Sequence, residues 1–196
     1  MMLDRIVERV TGRTNNTEGK ERLKMSICML GARGVGKTSV ITSLYYNQNE
    51  ALSGTNLFIT ADTAGGTDAA LTNKKEMLKA IFFGLHEEGS LMTEPGIAGD
   101  SAESIYSFTY GMSSEKINID LEIRDYPGEY VKKEPEKVAK FIEEADAVLV
   151  AIDTPYLMEE NGKYNEAKNS PSLISQFLIN NLKDDNDKLV LLVPLK

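Results

Sequence analysis

The sequence predicts an α/β fold of three layers, with helices on both faces of a mostly parallel central sheet that carries one antiparallel hairpin strand. Three observations predict it. The apolar run "KMSICML" (24–30) leads into a glycine-rich turn and then a helix-spaced segment, which is how an α/β unit opens. The run "DAVLVAID" (146–153) is apolar between its two aspartates, as a parallel strand covered on both faces must be. Between them, "SIYSFTYGM" (104–112) and "KINIDLEIRD" (116–125) alternate and are joined by "SSE", an antiparallel hairpin pattern.

The elements follow in order. Residues 1–24 read as an N-terminal helix and linker, and residues 25–196 as one domain. In "MLDRIVERV" (2–10), Leu3, Ile6, Val7 and Val10 share one helical face. That helix either packs on its own domain, frays as a leader, or faces a partner or a membrane. Its mixed charges weigh against the membrane. "TGRTNNTEGKE" (11–21) has the polar, Gly/Asn-rich composition of a linker. After the glycine turn, "KTSVITSLYYNQ" (37–48) has helical spacing at Val40, Ile41, Leu44 and Tyr45. "NLFIT" (56–60) reads as a short strand. "TDAALTNKKEMLKAIFFGLHEEG" (67–89) reads as a helix with Leu71, Met77, Leu78, Ile81 and Phe82 inward and Thr67 or Asp68 as its N-cap. "SLMTEPGIAGDSAE" (90–103) reads as a loop. In the hairpin, Ile117, Ile119, Leu121 and Ile123 point to one face. "EPEKVAKFIEEA" (134–145) is a helix with Pro135 suited to its first turn. Residues 154–169 read as a long polar loop, "PSLISQFLINNL" (171–182) as a helix, and "DKLVLLVPLK" (187–196) as a last strand.

Composition excludes several classes of function. The 196 residues carry a net charge of -8, which argues against broad nucleic-acid binding, since that needs a basic face. The single cysteine, Cys28, allows no intramolecular disulfide, and with no signal-peptide pattern the chain suits a reducing cytoplasm. No apolar run approaches the roughly 20 residues of a transmembrane helix. Cys28 reads as core and His86 as a helix end. No Cys/His cluster suggests zinc.

The glycine turn "GARGVGKT" matches G-x-x-x-x-G-K-[ST] at Gly31, Gly36, Lys37 and Thr38. Glycines let the backbone approach phosphates. The exposed N–H groups of Arg33, Gly34, Val35, Gly36 and Ser39, with the helix N-terminus, favour an anion. Lys37 then lies between the β- and γ-phosphates, and the Thr38 hydroxyl is a Mg²⁺ ligand. In "IDLEIRDYPGE", Asp125 ends an apolar strand, where an aspartate beside the phosphate loop holds Mg²⁺, in part through water. Gly128 completes D-x-x-G.

With both motifs in this order around an antiparallel hairpin, the chain resembles the Ras-like, translation-factor-related class of P-loop GTPases over residues 25–196. The hairpin separates that class from RecA-like and kinase-like P-loop proteins. The helix expected between glycine loop and hairpin is similar to that of GTPase-like domains in bacterial multi-gene systems. The resemblance implies a three-layer P-loop NTPase, GTP/GDP and Mg²⁺ as ligands, a protein effector or larger multidomain context, and a Gly128 N–H that senses the γ-phosphate.

Several positions depart from that pattern. The switch I threonine that completes Mg²⁺ coordination is best matched by Thr93, with Thr60, Thr63 and Thr67 as further candidates. Glu129 stands where the family commonly has a glutamine. It either orients the attacking water or starts the next helix, where the dipole favours it. Arg33 stands where small switch GTPases keep a glycine. It supplies an arginine finger's charge in cis, contacts another subunit, or points into solvent. "LLVPLK" aligns Lys196 with the lysine of the guanine-reading [NT]-K-x-D motif, with Leu195 in place of Asn or Thr. The family's last strand and helix are missing, so the chain reads as C-terminally truncated, or as one whose apolar edge a partner covers. The leading reading is a Mg²⁺-dependent switch hydrolysing GTP to GDP and phosphate, with Lys37, Glu129 and Arg33 as catalytic candidates. The alternatives are a nucleotide-binding module with little or no turnover, an ATPase of the same fold, and an assembly domain with a vestigial loop.

Overall fold

The computed structural model describes residues 21–76, 103–112, 117–182 and 188–195. The helix expected over 2–10, the second half of the helix expected over 67–89, most of the loop 90–103 with Thr93, and Lys196 lie outside the described residues.

One six-stranded sheet organises the domain. Its strands are β1 (Glu21–Leu30), β2 (Leu57–Ala61), β3 (Ser104–Met112), β4 (Ile117–Asp125), β5 (Ala147–Asp153) and β6 (Leu189–Leu195), in the spatial order β2-β3-β4-β1-β5-β6. β1 is parallel to β4 and β5, and β5 to β6, while β3 pairs antiparallel with both β2 and β4. β3 is thus the one strand that runs against the others, as the hairpin pattern predicts. β1 begins at Glu21, earlier than its apolar run suggests. The ladder explains this: β4 pairs with it from Glu21↔Ile117 to Met29↔Asp125, so backbone pairing extends the strand beyond its apolar run.

Alternation along β1 builds the two core layers. Cys28 and Leu30 face one side, with Val148 and Val150 of β5, Val138 and Ile142 of α4 (Pro135–Glu144), and Ile174 and Phe177 of α7 (Pro171–Asn181). Met29 faces the other side, with Ile41 of α1 (Lys37–Ala51), Leu71 of α2 (67–76), and Tyr106 and Phe108 of β3. Pro135 opens α4 as expected.

Three local expectations fail for physical reasons. Leu44 is 66% exposed while Thr42 is 1% exposed. The rotation of α1 is set at its first turn, where Thr38 is bonded inward to Asp125 and Thr42, one turn on, donates to the Thr38 carbonyl at 2.9 Å. Leu44 is thereby turned outward. Thr67 does not cap α2. Its hydroxyl accepts the Ser107 N–H at 3.0 Å, tying the helix to β3, and the Gly66 carbonyl takes the first helical bond, from Ala70. Residues 154–169 are not a plain loop. They form α5 (Thr154–Met158), a 3₁₀ turn (Glu159–Gly162) and α6 (Asn165–Asn169). The buried Asn169 amide accepts the Asp153 N–H at 2.8 Å and donates to the Asp153 carbonyl at 3.0 Å, returning the segment to the end of β5. Short helix α3 (Tyr130–Lys133) lies between β4 and α4. β6 is an outer strand, with Leu191 44% and Leu192 67% exposed.

Candidate functional site

The site lies at the carboxyl ends of the parallel strands, where open α/β sheets hold their ligands. Residues 31–36 turn the chain from β1 into α1. Gly36 is the helix N-cap and adopts φ 102°, a left-handed conformation that a side chain would strain. The first turn of α1 contains no acidic residue, so the positive end of the helix dipole is left for a ligand. Arg33 and Gly34 form the exposed crown of the turn, Val35 is buried beneath it, and Ser39 is half-buried in the first helical turn. An exposed Arg33 agrees with the solvent-facing reading and leaves its side chain accessible to a ligand or partner.

Lys37 folds under this loop. It is 7% exposed, and its Nζ donates to the carbonyls of Gly31 at 3.0 Å and Ala32 at 3.1 Å. Burial holds its pKa below the usual lysine value, and the Asp125 and Glu129 carboxylates oppose that shift. The Thr38 hydroxyl donates to Asp125 Oδ2. Asp125 is 6% exposed and sits opposite Met29 in the β1–β4 ladder, level with the start of the loop. The two motifs, 87 residues apart, therefore converge on one point.

Gly128 completes the convergence. A methyl group there would come within 2.2 Å of the Arg33 amide nitrogen and 2.4 Å of the Ala32 carbonyl carbon. Only hydrogen fits, so the "DYPG" turn rests directly on the phosphate loop. Glu129, the next residue, starts α3: its carbonyl accepts from the N–H groups of Lys132 and Lys133. Its carboxylate lies 3.8 Å from Lys133 Nζ.

The switch I candidates divide differently. Thr93 is outside the described residues. Thr60 and Thr63 are exposed, and Thr67 is committed to Ser107. Among the described residues there is no cluster of three or more His, Cys, Asp or Glu that could hold a metal. The hydroxyl and carboxylate paired at Thr38 and Asp125 are hard oxygen donors. They suit Mg²⁺, which takes one or two protein oxygens and completes its shell with phosphate and water.

Sequence reasoning missed the floor of the site. Ala151 presses on Gly31, its carbonyl oxygen 2.9 Å from where a Cβ would stand. Leu195 packs against Ala32, Val35 and Ala151. The only signal for the first was a small residue inside a strand of larger apolar ones.

The Double-GTPase 2 family model matches residues 25–196. The chain belongs to the Double-GTPase 2 family. The match runs from β1 to β6 and takes in both "GARGVGKT" and "DYPG". Membership in Double-GTPase 2 makes this a GTP-binding P-loop domain, in agreement with the observed sheet and with the resemblance carried by the two motifs. Among curated proteins, none matches the chain. No helix among the described residues is long and apolar enough to cross a membrane.

Proposed function

We propose that this domain is a Mg²⁺-dependent switch that hydrolyses GTP to GDP and phosphate. One observation carries the reading: Lys37, Thr38, Asp125 and Gly128, from two distant motifs, meet at the mouth of the phosphate loop. The reaction is in-line attack of water on the γ-phosphate, and catalysis comes from positioning and charge neutralisation. Lys37 leaves the Gly31 and Ala32 carbonyls for the phosphate oxygens. The backbone N–H groups of residues 33–39 hold the phosphates, and Gly128 donates its N–H to the γ-phosphate. Thr38 and Asp125 would hold Mg²⁺, which supplies neutralisation of the charge that develops on the phosphate oxygens. Thr93 is the proposed switch I ligand, and Arg33 the proposed source of extra positive charge at the crown.

Residues near 90–100 and 125–135 would order around the γ-phosphate and present a surface to a protein effector. The word "double" in the family's description supports a larger context in which that partner is itself a GTPase domain. A cytoplasmic location fits the lone buried cysteine.

A second reading, nucleotide binding with little or no turnover, is favoured by Glu129, which starts a helix and faces Lys133 where the resembled class has a water-orienting glutamine. Calorimetric titration with GTP, GDP and ATP, with and without Mg²⁺, tests binding. Single-turnover phosphate release then separates the two readings. The switch reading expects tight Mg²⁺-dependent GTP binding and measurable phosphate release, both lost in Lys37→Ala. Binding without release would establish the second reading, and equal affinity for ATP would overturn guanine specificity.

A further inference from the structure

The phosphate loop is supported from below at both of its ends. At its start, Ala151 of β5 touches Gly31, with the Ala151 Cβ 3.2 Å from where a Gly31 Cβ would stand. At its end, Leu195 Cδ1 lies 3.6 Å from the corresponding position on Gly36. Between these points Ala32, Val35, Ala151 and Leu195 form one small apolar cluster, separate from the two main cores. Leu195 reaches it because β6 is parallel to β5 and in register with it, with Asp153 opposite Leu195. The last residue of the strand therefore arrives level with the loop. Elsewhere on β6, Leu191 and Leu192 face solvent.

We propose that Leu195 is a positioning residue for nucleotide binding: its side chain props the Gly31–Gly36 loop into its phosphate-cradling shape and reads no base. The physical ground is its chemistry. An isobutyl group has no donor or acceptor to offer a base edge, and its contacts run to the loop. A loop whose N–H groups must converge on phosphate gains from being held in that shape before the ligand arrives. Leu195 supplies part of that hold by dispersion and burial. This inference rests on the nucleotide-binding reading above and concerns how the same site is kept in shape.

The test is titration of the full chain with the triphosphates of guanosine, inosine and adenosine in Mg²⁺, for wild type, Leu195→Ala, Leu195→Met and Leu192→Ala. Leu195→Ala is expected to weaken every triphosphate that wild type binds by one common factor, about tenfold. Leu195→Met should recover most of it, and Leu192→Ala should change nothing. Unchanged affinity in Leu195→Ala, or a loss for guanosine triphosphate that another triphosphate bound by wild type does not share, overturns the proposal. Amide hydrogen exchange of residues 31–36 without nucleotide gives an independent readout, with faster exchange expected in Leu195→Ala and unaltered exchange counting against the prop. If wild type bound none of the three, the functional reading would fall, and the exchange result would still decide the role of Leu195. If Leu195→Ala did not fold, Leu195→Val replaces it, with a smaller common loss and faster loop exchange expected, and no change in either overturning the idea.

Discussion

Cys28, Met29 and Leu30 at the end of β1, and Lys37 just beyond it, are all nearly closed to solvent. They are buried for opposite reasons. The strand residues are held by apolar contact on both faces of the sheet, a state that burial alone makes favourable. The loop encloses an ammonium group and backbone carbonyls that satisfy one another, and a neighbouring hydroxyl and carboxylate do the same. That second state costs desolvation, and under the proposed function an anionic ligand with a divalent cation would replace those internal bonds. Close packing thus serves stability in one stretch and readiness for a ligand in the next.

Substitutions can break this contrast or sharpen it. The largest effect is expected from Lys37→Ala, which should lower GTP affinity by roughly a hundredfold, as loss of a charge-assisted bond to phosphate would. The melting temperature should change only slightly, because removing the buried ammonium ends its own desolvation cost but leaves the Gly31 and Ala32 carbonyls without that donor. A large fall in melting temperature would erase the distinction between loop and core. Ile142→Ala makes the opposite case. Ile142 is 0% exposed, and its truncation should cost about 3 kcal/mol in denaturant unfolding while leaving GTP affinity unchanged well below the melting point. Asp125→Asn should be subtler. The amide oxygen can still accept from Thr38, so stability should change little, but the gain in GTP affinity on adding Mg²⁺ should shrink about tenfold. Calorimetry in Mg²⁺ against chelator measures it.

The last effects concern pH, and they have opposite signs in the two stretches. Burial pushes the Cys28 thiol up to about 12. The unfolded chain ionises first, near ~8.5, so the Cys28 contribution to stability is present below that pH and is lost as pH rises toward the folded value. Burial lowers Lys37. Between its folded value and the ordinary lysine value the unfolded chain binds more protons, so its contribution to stability rises with pH. Melting temperatures across the alkaline range, compared between wild type and Cys28→Ala or Lys37→Ala, should show the two slopes. Equal slopes would mean that the two environments do not differ as described.

The convergence of Lys37, Thr38, Asp125 and Gly128 on one point was legible because the roles proposed for them depend on spacing within short motifs and on the residue types that phosphate and Mg²⁺ chemistry require. The strand–turn–helix opening and the antiparallel strand were legible for a related reason: period-2 and helical patterns are local properties of the chain. The amino-acid sequence by itself determined these things. Tertiary structure alone decided the rest. The outward turn of Leu44 follows from a hydrogen bond between residues 87 positions apart. The commitment of Thr67 follows from a contact with β3. The apolar floor formed by Ala151 and Leu195 exists because strands β5 and β6 align beneath the loop. None of these is encoded in a window of neighbouring residues, since each depends on which surfaces the sheet register brings together.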